Sequence, residues 1–240
     1  MSPIKTTISF FTNLFFTCIL LLVMLNLSDT TPILKQVANS DNLCDIIDIL
    51  CVKNEFNKIQ NISMEINQIA RTIENYVFNH TRTSGTLSRL INAEEFYLIE
   101  QNQIPKAKWH ANFFKLNNIK KDFLIHMSTD VHNTMLLFYN TIDTLLKFDD
   151  TTGYYPVNKL FQEIQKHLKN DIICKIRNIL HAYSADWTPN KHKEIYFFQN
   201  PLDRSPSTRH SVKSVLLSRL LKEWSNKLSS VITNIHNKFI

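Results

Sequence analysis

The stretch "FDDTTGYYPV", Phe148 to Val157, contains Gly153, one of only two glycines in a chain of 240 residues. It is the one tight turn in a sequence whose remaining patterning is helical. Two glycines is far below the usual share of about 7%. A β-sandwich or a doubly wound α/β fold needs glycine in its turns. The hydrophobic fraction of 44% is ordinary for a globular protein. All-α is therefore the expected fold class.

Outward from this turn, four long segments carry apolar residues at alternating three- and four-residue spacing, the mark of an amphipathic helix. The first runs from about Asp41 to Asn79, with Ile59, Ile62, Ile66, Ile69, Ile73 and Val77 on its stripe. The second runs from Pro105 to Phe148, with Lys120 and Thr134 filling two slots of an otherwise apolar stripe. The third runs from Pro156 to about Ser184, and the fourth from Pro206 to about Lys238. Pro105, Pro156 and Pro206 each stand where a helix would begin, a position at which the missing proline N–H costs nothing. Ser205 is placed to cap the fourth helix.

The joins differ in length. Residues 149–155 can reach only about 25 Å when extended, so the second and third helices must be antiparallel neighbours. Residues 80–104 and 185–205 can each reach about 70–80 Å. That is enough to run the length of a bundle and start the next helix in the same direction as the last. Long, short, long is the pattern of a four-helix bundle with up-up-down-down topology and two crossover joins. An up-down-up-down bundle with decorated loops is the alternative. The first long join holds "TLSRLINAEEFYLIE" (Thr86–Glu100), expected to form a short extra helix that packs on the bundle or presents Phe96 and Tyr97.

Residues 1–28 read as a secretory signal peptide: Lys5 supplies the positive start and Leu14–Leu25 the apolar core. A membrane anchor is the alternative, but Thr12 and Asn13 interrupt the stretch. Residues 29–240 then form a single bundle domain. Asn61-Ile62-Ser63 and Asn79-His80-Thr81 make Asn61 and Asn79 glycan acceptors in the secretory compartment. Cys44, Cys51 and Cys174 remain after the leader is removed. Cys44 and Cys51 on one helix would stand about 10.5 Å apart, too far to bridge. In the expected topology Cys51 and Cys174 fall at matching heights, so Cys51–Cys174 is the expected disulfide. Cys44–Cys51 is the alternative if residues 41–53 are not helical.

Enzyme chemistry finds little footing. Gly85 and Gly153 alone cannot build a GxSxG elbow or a phosphate-cradling loop. CxxC and HExxH are absent, and Glu163 with His167 has the wrong spacing for a di-metal bundle and lacks a second pair. No metal or cofactor is expected. The net charge of +6 falls to +5 without Lys5. Its basic runs read as solvated helix faces or as contacts to acidic glycans. Secretion and the lack of a recognised motif argue against nucleic acid.

Secretion, helix lengths, join lengths, sequons and the terminal helix "SVKSVLLSRLLKEWSNKLSSVI" together resemble the long-chain four-helix cytokines. With the bias towards Asn, Ile and Lys, they look compatible with the insect Unpaired family, ligands of a receptor upstream of JAK/STAT signalling. The resemblance implies a receptor-binding protein that brings cell-surface receptor chains together, with one face on the first and third helices and another at the end of the fourth helix with the first long join. It points to Arg71, Glu74, Lys166, Lys169 and Arg177, and to Trp187 and Trp224, although Trp224 also fits the core spacing of its helix. Phe197 and Phe198 lie beside Trp187 in the third join, where they either cover the bundle edge or anchor a partner. The competing class is a helical carrier of small molecules or lipids, or a salivary or venom effector. A carrier needs an internal cavity, and large residues such as Trp109, Phe113, Phe123, Phe138 and Phe161 argue for a filled interior.

Overall fold

The computed structural model describes residues 49–81, 84–147, 155–184, 187–188, 194–197, 205–235 and 237–238. The expected leader, Cys44, the Gly153 turn and Phe198 lie outside them. The described residues are all-helical. α1 is Ile49–His80, α2 Ser84–Glu100, α3 Lys108–Lys115 and α4 Lys121–Lys147. α5 (Tyr155–His167) passes through a π turn, Leu168–Ile173, into α6 (Cys174–Tyr183) without leaving helical backbone. α7 is Pro206–Ile235. No described helix is long and apolar enough to cross a membrane.

The stripes read from sequence are the buried faces. Ile59, Ile66, Ile73 and Val77 of α1 face the core, as do Leu216, Leu220, Leu228 and Val231 of α7. One slot differs. Ser63, rather than Ile62, is the buried residue on α1, and its hydroxyl satisfies itself by donating to the Ile59 carbonyl at 2.7 Å. Trp109, Phe113, Phe138, Phe161 and Trp224 fill the interior. Trp224 stacks edge-on to Trp109 at 5.9 Å and to Phe138 at 6.4 Å. Its indole N–H donates to the Pro105 carbonyl at 3.1 Å.

The polar contacts between helices give their relative directions. Gln60 bonds Thr233 at 2.8 Å, Asn67 bonds Asn226 at 2.5 Å, and Glu74 takes Arg219 and Lys222 at 2.8 Å each. Partners advance along α1 as they recede along α7, so the two run antiparallel. The steps are seven residues, which keeps the polar pairs on one seam beside the core. Likewise Glu65 meets His167 of α5, and Glu55 meets Lys175 of α6. α1 therefore also runs antiparallel to the α5–α6 rod. Gln165 of α5 reaches the Tyr139 carbonyl of α4 at 3.5 Å.

Three expectations need correction. The second helix does not run unbroken from Pro105 to Phe148. It breaks at Leu116–Lys120, where Leu116 is extended (φ −83°, ψ 133°). Asn117 and Asn118 are weak helix formers, and the break is held from far along the chain. The Ile119 N–H donates to the Lys238 carbonyl at 2.7 Å, and the Lys238 ammonium donates to the Phe113 and Leu116 carbonyls. Orphan carbonyls at the end of α3 are thereby satisfied. Pro105 is not a helix start but lies in the irregular segment two residues before the α3 N-cap, Ala107. The Cys51–Cys174 bridge is not formed, and Cys174 is free and exposed. With Glu55 opposite Lys175, Cys174 stands level with about residue 56. Cys51 is then about 7.5 Å away along the axis alone, beyond the reach of a disulfide.

Two local signals hold. Ser205 caps α7, accepting the Thr208 N–H at 3.2 Å. The extra helix in the first join is α2. It ends on Asn102 in the left-handed region (φ 54°), with Asn102 and Gln103 N–H groups returning to Ile99 and Leu98, a Schellman arrangement in which asparagine takes the usual glycine position.

Candidate recognition surface

The residues expected at a recognition surface divide by burial. Arg71, Lys166, Lys169 and Arg177 are exposed. Lys166 and Lys169 lie at the junction of α5 with the π turn, and Arg177 is two turns further on the same rod. None of the four forms an ion pair among the described residues. They are free charges on a protein with a cation excess, the arrangement that attracts an acidic partner.

Glu74 does not belong with them. It is half-buried and clamped between Arg219 and Lys222 of α7. Burial pushes its carboxyl up, but Lys222 and Arg219 outweigh that and hold it below the ordinary glutamate value. Its function is to fix α1 on α7. Trp224 is also removed from the surface, being 1% exposed.

Two aromatics of the third join, Trp187 and Phe197, pack back onto the helices. Trp187 is half-buried, edge-on to His132 of α4 at 4.8 Å and to His181 of α6 at 5.4 Å. Phe197 is half-buried, with the Lys213 ammonium 5.4 Å from its ring centre. The backbone just before Phe197, residues 194–196, is pinned. The Ile195 N–H donates to the Thr141 hydroxyl at 3.0 Å, Thr144 bonds Glu194, and the Tyr196 N–H donates to Gln103 at 2.7 Å. Tyr196 itself stays 64% exposed, and Phe96 of α2 is 62% exposed while Tyr97 is half-buried.

Sequence reasoning missed two features. Asn61, Met64, Gln68 and Arg71 of α1 and Ser225 and Ser229 of α7 line a groove of about 510 Å³, which places Arg71 at a concave polar seam. Glu163 and His167 also gain a third member from α1. The ligand atoms of Glu65, Glu163 and His167 lie within 4.8 Å of one another. His167 Nδ1 is 3.1 Å from Asp171. This donor set could hold a divalent cation. Two of the three are exposed, the ordinary state of solvated carboxylates, and they carry no functional argument. No sequence pattern could have found Glu65, because nearly a hundred residues separate it from its neighbours.

The two sequons differ in their partner residue. Asn61 and Asn79 are both exposed, but the Ser63 hydroxyl is sealed in the core, whereas Thr81 is half-buried at the end of α1. Comparison with protein-family models, curated proteins and solved structures finds no match to this chain.

Proposed function

We propose that the chain is a secreted signalling ligand built as an up-up-down-down four-helix bundle of the long-chain cytokine type, which brings receptor chains together without chemistry on a substrate. The observation that carries this reading is the set of helix directions. α1 runs antiparallel to α7 and to the α5–α6 rod, and the short turn makes α4 antiparallel to α5. α1 and α4 then share one direction, α5–α6 and α7 the other. That order needs the two long joins to cross the bundle, with α2 forming part of the first. The filled interior around Trp109, Phe138 and Trp224 favours a ligand that acts through its surface over a carrier.

The receptor face we assign combines Arg71 of α1 with Lys166, Lys169 and Arg177 of the α5–α6 rod, and acidic cell-surface glycans are candidate co-partners for the same charges. The test is binding of the purified protein to cytokine-receptor ectodomains of the JAK/STAT type, paired with a STAT reporter in cells. Sub-micromolar binding, lost in a variant carrying Lys166→Glu, Lys169→Glu and Arg177→Glu, is the expected result. An apolar molecule copurifying with the protein, with no receptor bound, would turn the assignment to a carrier.

A further inference from the structure

The corner between α3 and α4 holds apolar and basic side chains out in water. Along Phe114–Lys121, "FKLNNIKK", only Ile119 is buried. Phe114 is 47% exposed and Leu116 is 40% exposed. The Phe114 ring is nonetheless braced. It lies edge-on to Phe113 and to His110, each at 5.1 Å, and the Lys238 ammonium stands 5.7 Å from its centre. Lys238 also donates to the Phe113 and Leu116 carbonyls. The fold therefore fixes this corner and leaves two apolar side chains outside.

The charge beside them is uncompensated. Elsewhere exposed lysines find a carboxylate within one helical turn: Lys58 takes Glu55, Lys147 takes Asp143 and Lys227 takes Glu223. Lys115, Lys120 and Lys121 are exposed and form no ion pair among the described residues. No acid stands three or four residues from any of them, the spacing at which helical side chains meet. Asp122 is the one adjoining carboxylate. Phe96 and Ile99 of α2 are also exposed, but Glu95 and Glu100 flank them. The two apolar pairs thus stand in opposite charge surroundings.

A soluble polyanion would meet the three lysines and leave Phe114 and Leu116 in water. An anionic lipid surface takes both. Its headgroups attract lysines, and the boundary between headgroups and acyl chains accepts apolar side chains. We propose that the α3–α4 corner docks reversibly on an anionic phospholipid surface. Lys115, Lys120 and Lys121 meet the headgroups, and Phe114 and Leu116 enter the boundary beneath them. The contact is peripheral. It is independent of the receptor face proposed above, which uses α1 and the α5–α6 rod.

The test is co-sedimentation of the full chain with vesicles of phosphatidylcholine and phosphatidylserine, against phosphatidylcholine alone. Binding through the apolar run Leu14–Leu25 would occur on both and would not respond to substitutions at the corner. Binding that requires phosphatidylserine is expected. It should weaken about fivefold in each of Lys115→Gln, Lys120→Gln and Lys121→Gln, and by about the same factor in Phe114→Ser, which withdraws apolar area from the boundary. Phe96→Ser should leave it unchanged. No preference for phosphatidylserine overturns the proposal, as does equal binding by a variant carrying all three lysine substitutions. Loss in the lysine variants with full binding by Phe114→Ser also overturns it, and assigns the corner to a polyanion. The unsubstituted protein gives a second check. Salt screens exposed charges and should weaken the binding, and binding untouched by salt would overturn the assignment.

Discussion

The α1–α7 seam and the middle of α4 both bury polar side chains beside the core, and they treat them in opposite ways. Along the seam, Gln60, Asn67 and Glu74 each meet a partner on α7 at seven-residue steps. On α4 the Ser128 hydroxyl is buried without a hydrogen-bond partner, as is Trp109 Nε1 of α3, and the contact between the His132 and Asn133 side chains is too loose to satisfy either. A paired polar ladder fixes register, because sliding one helix by a turn would break each pair. An unpaired buried group fixes nothing and costs about 1–3 kcal/mol. The paired ladder therefore sets the register of the fold, while the unpaired groups, which include Asn158 Nδ2 of α5 and Ser218 Oγ of α7, do not.

This contrast can be broken by mutation. The largest effect is expected where the two regions meet. Trp224→Ala removes the ring that packs on both Trp109 and Phe138, and it should cost about 3–5 kcal/mol in chemical denaturation. A loss below about 1 kcal/mol would show that α4 and α7 do not share one core. Next comes the seam. Glu74→Ala strands Arg219 and Lys222 and should cost about 1–2 kcal/mol, the partial exposure of the three groups keeping it at the lower end. The Glu74 carboxyl is held below its ordinary value of 4.5. Its contribution is present at neutral pH and is lost as the pH falls below that value, so Glu74→Gln should flatten the acid limb of a melting curve against pH.

On α4 the sign of the pH effect can be traced through His132. Burial pushes its imidazole below the ordinary value of 6.5; Asn133 partly offsets this, while Arg177 and His181 add to it. As pH falls through 6.5 the unfolded chain takes up the proton first, so stability should decline from there downwards. His132→Gln should remove most of that decline, measured as melting temperature at pH 7.5 and 5.5. A profile unchanged by the substitution would place the pH response elsewhere. The smallest effect on folding is expected on the outer face. Lys166→Ala, Lys169→Ala and Arg177→Ala should each stay within about 0.5 kcal/mol of the parent, while weakening the proposed receptor contact.

What could be read from the sequence follows the same division. Helical periodicity found Ile59, Ile66, Ile73, Leu220 and Leu228, because each of these positions is decided by its own helix. Ser205 and Pro206 marked the start of α7 for the same local reason. The break before α4 was hidden because Leu116 and Lys120 sit in slots that continue the stripe, and because the residue that stabilises the break, Lys238, is far along the chain. The free surface charges at Lys166, Lys169 and Arg177 could be read from periodicity. The pairing of Glu74 and the convergence of Glu65 on His167 could not, since each depends on how two distant helices align.

The π turn at Leu168–Ile173 has a consequence for chain length. Winding five residues between bonded groups instead of four absorbs one residue more than regular α winding needs. Losing Asn170, which is exposed, would let this turn relax to ordinary α geometry while α6 kept its facing towards α1 and α4. The same loss between Gln60 and Asn67 would turn the rest of α1 by about 100° and carry Glu74 away from Arg219. Along these helices, the π turn is where the length of the chain is negotiable.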